Sequence, residues 1–161
     1  MVAANDRQLL EKIGDMRDYD EKEVHRLRFN CKMTDLQAAL GLAQMRRLPL
    51  LIERRRAIAR RYDAFLRERQ APVPASPPGR DPIYYRYVIR SSRAAEFVAA
   101  GAEAGVAVRR PVFKPLHHYL GMDGYPQTEG AFLETVSLPL YPSLSDAEVE
   151  AVLDLAGSVL Q

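Results

Sequence analysis

The sequence predicts an α+β chain: a small sheet of about three strands flanked by helices, with a long helical arm at its entrance. Three observations carry this. Thr34 with Gln37, and Ser145 with Glu148, fit the capping-box pattern just ahead of apolar runs, which marks helix starts. "IYYRYVIR", residues 83–90, alternates and is rich in aromatic and β-branched side chains, as a strand is. "APVPASPPGRDP", residues 71–82, holds five prolines and so separates the helical arm from the strand as a non-helical connector.

The elements follow in order. "MVAA" is apolar enough for one strand, and "ND" then offers a turn and a helix N-cap. In the next stretch Leu9, Leu10, Ile13 and Met16 share one helical face. Residues 18–26 are dense in charge and predict a loop. "DLQAALGLAQMRRL", residues 35–48, is apolar on more than one side, so a buried helix is expected. Pro49 is expected to break or restart it. Beyond it Leu51, Ile58, Tyr62 and Phe65 keep one face apolar while arginines take the other.

After the strand at 83–90, "SSRAAEFVAAGAEAG" begins with serines that can cap a helix and ends at Gly105, a terminator. "VAVRRPVF" predicts a second strand that meets Pro111, and "KPLHHYLGMDGYPQ" a loop. "TEGAFLETV" predicts a short helix opened by Thr128, "SLPLYPSL" an extended segment, and residues 145–160 the final helix.

Composition narrows the function classes. A chain of 161 residues, 47% hydrophobic and 27% charged, is an ordinary globular one. No apolar run approaches the roughly 20 residues of a membrane span, so no membrane partner is expected. Cys31 is the lone cysteine, which excludes an internal disulfide, and no secretory pattern opens the chain; a cytoplasmic setting is expected. A net charge of +2 is too small to imply nucleic acid. The basic run at 53–69 is interrupted by Glu53, Asp63 and Glu68 and fits a solvated amphipathic face better than a nucleic-acid surface.

Chemical signatures are sparse. The chain has no phosphate-binding P-loop, dinucleotide fingerprint or zinc-protease motif. His117 and His118 are adjacent on an expected loop, poor joint ligands for one metal, with no carboxylate or Cys cluster expected near them, so no metal is expected. What remains is "RRPVFKPLHHY", residues 109–119: two Arg, Lys114, two His, Phe113 and Tyr119. Arg and Lys clamp phosphate or carboxylate, an aromatic ring stacks on a sugar or base, and His bonds hydroxyls. A solvated loop after an edge strand is the competing reading.

Several segments together resemble one family. "FNCKMTDLQAALGLAQMRRLPLLIERRRAIARRYDAFL", "YYRYVIR", "GVAVRRPVFKPLHHY" and "VSLPLYPSLSDAEVEAV" are similar to sugar aminotransferases of the DegT/DnrJ/StrS family. The resemblance implies the C-terminal domain of a fold type I pyridoxal-phosphate-dependent transferase, with residues 1–26 a remnant of the large domain and 27–161 the small domain. It implies an enzyme that moves an amino group from glutamate onto a nucleotide-linked keto-sugar, working as a homodimer. By resemblance Asn30 reaches the cofactor phosphate of the partner subunit. Lys32, Arg110, Phe113, Lys114, His117 and His118 contact substrate, and Tyr87 is either core or site. Cys31 departs from the aromatic usual in the family.

None of Lys12, Lys22, Lys32 and Lys114 matches the family's Schiff-base position. The chain is therefore expected to be the C-terminal part of such an enzyme, to bind no pyridoxal phosphate alone and to be inactive alone. The alternatives are a non-catalytic partner subunit completed by a separate large domain, and a small nucleic-acid-binding protein. Some family members dehydrate sugars or serve regulation instead.

Overall fold

The computed structural model describes residues 2–160. The chain divides into two compact units, Met1–Arg47 and Leu48–Gln161.

In the first unit, α1 (Arg7–Arg17) starts where expected: Asp6 Oδ1 accepts from the Gln8 N–H at 2.9 Å and the Leu9 N–H at 3.1 Å. The loop after it is pinned by Arg28, whose guanidinium donates to Asp15 (3.1 Å) and to the Val24 carbonyl (2.7 Å). The Phe29 N–H donates to the Met16 carbonyl at 2.8 Å. Residues 2–4 form no strand, and Met1 lies outside the described residues. A strand needs a hydrogen-bonding neighbour, and among the described residues this unit has no strand to pair with.

The helix α2 (Asp35–Glu68) opens with the expected capping box. The Thr34 N–H donates to Gln37 Oε1 at 3.0 Å, and the Gln37 N–H to Thr34 Oγ1 at 3.3 Å. Two expectations fail here. Pro49 neither ends nor restarts α2, because strong helix formers on both sides carry the turn past the missing N–H. The stretch 35–48 is not buried: Leu36 is 82% exposed, and Leu40, Leu42 and Met45 are also open. Among the described residues its apolar faces are therefore open.

The second unit closes on itself. Ile58, Ala59, Tyr62 and Leu66 of α2 are buried, so the apolar face read from sequence is the one that packs. β1 (Tyr87–Arg90) and β2 (Thr135–Leu138) pair antiparallel, with Tyr87 opposite Leu138 and Ile89 opposite Val136, and all four side chains buried. α3 (Ala94–Ala104) contributes Ala94, Phe97 and Gly101, and α6 (Asp146–Val159) contributes Val149, Val152, Leu155, Ala156 and Val159. Burying one large apolar side chain is worth roughly 1.5–3 kcal/mol, so this cluster carries the unit. Its polar tips are satisfied: Tyr62 Oη donates to the Pro139 carbonyl at 2.7 Å and Tyr87 Oη to Asp63 at 2.5 Å. Tyr87 is therefore core, which resolves the choice left open by the sequence.

The sheet has two strands, not about three. "VAVRRPVF" contributes one isolated bridge, in which Arg109 and Ser137 exchange N–H to carbonyl bonds at 3.2 and 2.7 Å. Upstream, the Val108 N–H folds back to the Val106 carbonyl; downstream, Pro111 has no N–H to continue a ladder. The "KPLHHYLGMDGYPQ" segment is not all loop: Leu116–Leu120 forms α4, ended by Gly121 at φ 61. α5 (Pro126–Glu134) starts at Pro126, not Thr128, because proline suits the first helical position. The serines ahead of α3 do not cap it directly; Ser91 Oγ accepts from the Arg93 N–H, and Gly105 ends the helix at φ 69 as expected. At the last helix the box is complete, with Ser145 and Glu148 each bonding the other's backbone N–H.

Candidate functional site

The candidate site lies on the second unit, where segment 109–113, α4 and α5 follow one another. The bridge at Arg109 anchors the start of the segment to β2. Arg110 anchors its middle: Nη1 donates to the Phe132 carbonyl at 2.6 Å and the Leu133 carbonyl at 2.8 Å, where the last turn of α5 leaves acceptors unpaired. Arg86 holds Pro111 through its carbonyl. Beside these contacts opens a cavity of about 560 Å³, lined among others by Tyr85, Arg86, Arg109, Arg110 and Phe113. Phe113 is 91% exposed, so its ring faces are free to stack. Arg86, Arg109 and Arg110 thus line the cavity beside Tyr85 and Phe113, with Arg86 and Arg110 each already donating to a backbone carbonyl.

Lys114 does not lean into this cavity; its Nζ sits 4.6 Å from the centre of the Tyr119 ring. Past it, α4 presents His117 and His118, and both Nε2 atoms meet one carboxylate oxygen, Glu129 Oε2, at 3.2 and 2.7 Å. The His118 hydrogen bond above all, opposed by desolvation and aided by the weaker His117 hydrogen bond, holds the Glu129 carboxyl below its ordinary value. The Tyr125 ring lies 5.3 Å from that of His117, and the Phe132 ring 5.9 Å from that of His118.

Asn30 and Lys32 belong to the first unit. Asn30 is exposed at the centre of a tight turn, where the Cys31 N–H reaches the Phe29 carbonyl at 3.0 Å. That turn holds the backbone and leaves the amide free for a ligand. Lys32 Nζ is 2.8 Å from Asp18 Oδ1, a partner that raises the lysine pKa.

Sequence reasoning named Arg110, Phe113, Lys114, His117 and His118, and the fold places all five in this one segment. It included Arg109 in the candidate stretch 109–119 but missed Tyr85, Arg86 and Glu129. Alternation along 83–90 signals Arg86, since it falls on the face opposite Tyr87. Glu129 had no such signal. It lies eleven residues beyond His118, and the turn at Gly121 brings it back. The expectation that no carboxylate stands near the histidines is corrected by this arrangement.

The fold and this segment define a class. Residues 2–160 have the architecture of part of a sugar-aminotransferase chain. The structure is similar to a DegT DnrJ EryC1 StrS aminotransferase from Brucella abortus, at a TM-score of 0.80 and 25% identity, covering 96% of this chain and 44% of that one. It is also similar to the aminotransferase TlmJ from Streptoalloteichus hindustanus, at a TM-score of 0.76 and 33% identity, covering 86% and 39%. The chain belongs to the DegT/DnrJ/EryC1/StrS aminotransferase family, whose pattern matches residues 1–156.

Among its relatives is the dTDP-4-dehydro-2,3,6-trideoxy-D-glucose 4-aminotransferase of Saccharopolyspora spinosa, 36% identical over 74% of this chain and 33% of that protein. Another is a pleiotropic regulatory protein of Geobacillus stearothermophilus, 28% identical over 96% of this chain and 45% of that protein. The chain spans less than half the length of these relatives.

The cofactor that the family implies can be tested against the lysines. An imine needs a neutral amine, which proteins obtain by burying the lysine or crowding it with other cations. Lys32 has the opposite environment, an anion that favours its charged form. Lys22 lies 3.9 Å from Asp15, Lys114 lies over Tyr119, and Lys12 is exposed on α1. These residues do not compose a Schiff-base pocket. Among the described residues, no helix is long and apolar enough to cross a membrane.

Proposed function

We propose that this chain is the substrate-recognising part of a pyridoxal-phosphate-dependent aminotransferase that acts on nucleotide-linked keto-sugars with glutamate as amino donor. In such an enzyme the cofactor supplies an electron sink for amino-group transfer. Here residues 1–26 belong to its large domain and residues 27–161 form its small domain. The chain serves in a cytoplasmic homodimer.

The observation that carries this reading is the cavity beside segment 109–113. Its guanidinium groups suit a diphosphate, and the exposed ring of Phe113 suits a base. Arg109 and Arg86 bind phosphate oxygens. Lys114, His117 and His118 bond sugar hydroxyls and phosphate. Asn30 donates its amide N–H to the cofactor phosphate in the partner subunit, and Lys32 contacts substrate at the cost of its pairing with Asp18. Without a Schiff-base lysine the chain alone does not transaminate.

The exposed apolar faces of α2 favour one form of this reading. In it the chain acts as a non-catalytic partner subunit, completed by a separate large domain that covers Leu36, Leu40 and Leu42.

The test is titration of the purified chain with thymidine and uridine diphosphates, followed by NMR of the Phe113 ring and the Arg109 side chain. The expected result is saturable binding that Phe113→Ala and Arg109→Ala each weaken about tenfold, the loss of one good contact. Binding unaffected by both variants would refute this site. A parallel titration with pyridoxal phosphate and borohydride is expected to leave no stoichiometric lysine adduct; a single modified lysine would overturn the claim of inactivity.

A further inference from the structure

Consecutive residues on a helix point about 100° apart, yet His117 and His118 bring both Nε2 atoms to one point. The chain achieves this by ending α4 at once. Gly121 takes a left-handed conformation, and the first turn of α5 returns Glu129 to face the pair. One ligand atom from each of His117, His118 and Glu129 then lies within 4.8 Å of the other two. The side chain of His117 is 11% exposed, and the rings of Tyr125 and Phe132 flank the two imidazoles.

We propose that His117, His118 and Glu129 form a binding site for a single divalent transition-metal ion, with Zn²⁺ the ion whose chemistry fits best. This rests on the α4–α5 geometry and not on the proposed aminotransferase function. Two imidazoles and one carboxylate are a zinc donor set, with water in the fourth position. Nitrogen donors select against Mg²⁺ and Ca²⁺, which take oxygen.

The distances fit with little movement. Ligands about 2.0–2.2 Å from a tetrahedral zinc stand roughly 3.3–3.5 Å from one another. The His117–Glu129 separation of 3.2 Å is nearly there. The His118–Glu129 separation of 2.7 Å must open by about 0.6–0.8 Å. Glu129 is partly exposed and can swing outward to do so.

The tautomers change in a definite way. An ionised carboxylate only accepts, so in the metal-free chain each Nε2 carries the hydrogen that it donates to Glu129. A metal takes the Nε2 lone pair, and the hydrogen moves to Nδ1 on each ring. Binding therefore has a signature in the imidazole nitrogens that a plain ion pair lacks.

The experiment uses the full chain stripped with a chelator. It is titrated with ZnCl₂ by calorimetry and with CoCl₂ by visible absorption, and the histidine nitrogens are followed by NMR. The expected result is one ion per chain, cobalt bands of low coordination number, and a switch to Nδ1–H in His117 and His118. Glu129→Gln and His118→Asn are each expected to weaken zinc by at least about 10- to 100-fold, the loss seen even for outer-shell partners of metal ligands. Cys31→Ser and His25→Asn are expected to leave binding unchanged. Circular dichroism confirms that each variant is folded, and Glu129→Gln, at a partly exposed position, decides if His118→Asn is not. The proposal is overturned by no stoichiometric binding at micromolar zinc, by binding that survives Glu129→Gln, or by binding that Cys31→Ser or His25→Asn abolishes.

Discussion

Both units of this chain carry capped amphipathic helices, with caps at Asp6 and Thr34 in one and at Ser145 in the other, yet only the second closes around a core. The buried apolar cluster runs from Ile58 to Val159 and lies wholly in Leu48–Gln161. In the other unit α1 has no buried residue, and Leu36, Leu40, Leu42 and Met45 at the start of α2 stay open. The difference teaches that an apolar stripe stabilises only what it packs against. Propensity and capping suffice to shape α1 and the arm; burial makes the second unit a fold.

The sharpest way to break this comparison is to remove one large side chain from each unit. Phe97→Ala empties a fully buried site and is expected to cost about 3–5 kcal/mol. Leu10→Ala removes a side chain already 39% exposed and is expected to stay within about 0.5 kcal/mol. Urea denaturation measures both. Equal losses would mean that the first unit has a core of its own.

A glycine pair sharpens the contrast because the same substitution should change sign. A Cβ at Gly101 would stand 2.8 Å from the Val106 carbonyl oxygen and 3.0 Å from Val108 Cβ. Gly101→Ala is therefore expected to destabilise by about 1–3 kcal/mol through overpacking. At Gly14, in the middle of α1, an added Cβ meets nothing within 4 Å. Gly14→Ala is expected to raise helicity in circular dichroism, favouring the helix by about 1 kcal/mol. A loss at Gly14 as large as at Gly101 would mean that α1 is packed against something at that point.

The two capping boxes separate cap chemistry from what the helix supports. Ser145→Ala removes a cap from a helix that delivers five buried residues, and a global loss of about 1 kcal/mol is expected. Thr34→Ala removes the same kind of cap from the exposed start of α2. Hydrogen exchange is expected to quicken in the first turn there, with little change in the urea midpoint.

Much of this was legible because the signals were local. Asp6, the two capping boxes, Gly105 and the stripe Ile58–Tyr62–Phe65 each specify structure within a few residues. Where neighbours decide, the reading failed. "VAVRRPVF" has strand composition, but a ladder needs consecutive donors and Pro111 has none. "DLQAALGLAQMRRL" has the composition of a buried helix, but burial belongs to whatever covers it. The basic-aromatic segment 109–113 was legible as a site by composition, whereas Glu129 entered only through the turn at Gly121.

The smallest effect contrasts how each unit holds a carboxylate. In the first unit the Arg28 hydrogen bond lowers the Asp15 pKa, with Arg26 and Lys22 adding to it against desolvation. In the second unit His118, and after it His117, does the same for Glu129. A carboxyl held below its ordinary value, near 4.5 for Glu129, contributes in full above that pH. The contribution fades as pH falls through the lowered folded value. For Glu129 it acts within the α4–α5 corner and not on the whole unit, because the group is partly exposed and salt screens it. Carbon-13 titration of the two carboxyls is expected to place both midpoints below those of unpaired residues. His118→Asn is expected to raise only that of Glu129, and Arg28→Gln only that of Asp15. A Glu129 midpoint unmoved by His118→Asn would show that the histidine pair does not hold the carboxylate in solution. The α4–α5 corner would then lack the hydrogen bonds from His117 and His118 to Glu129.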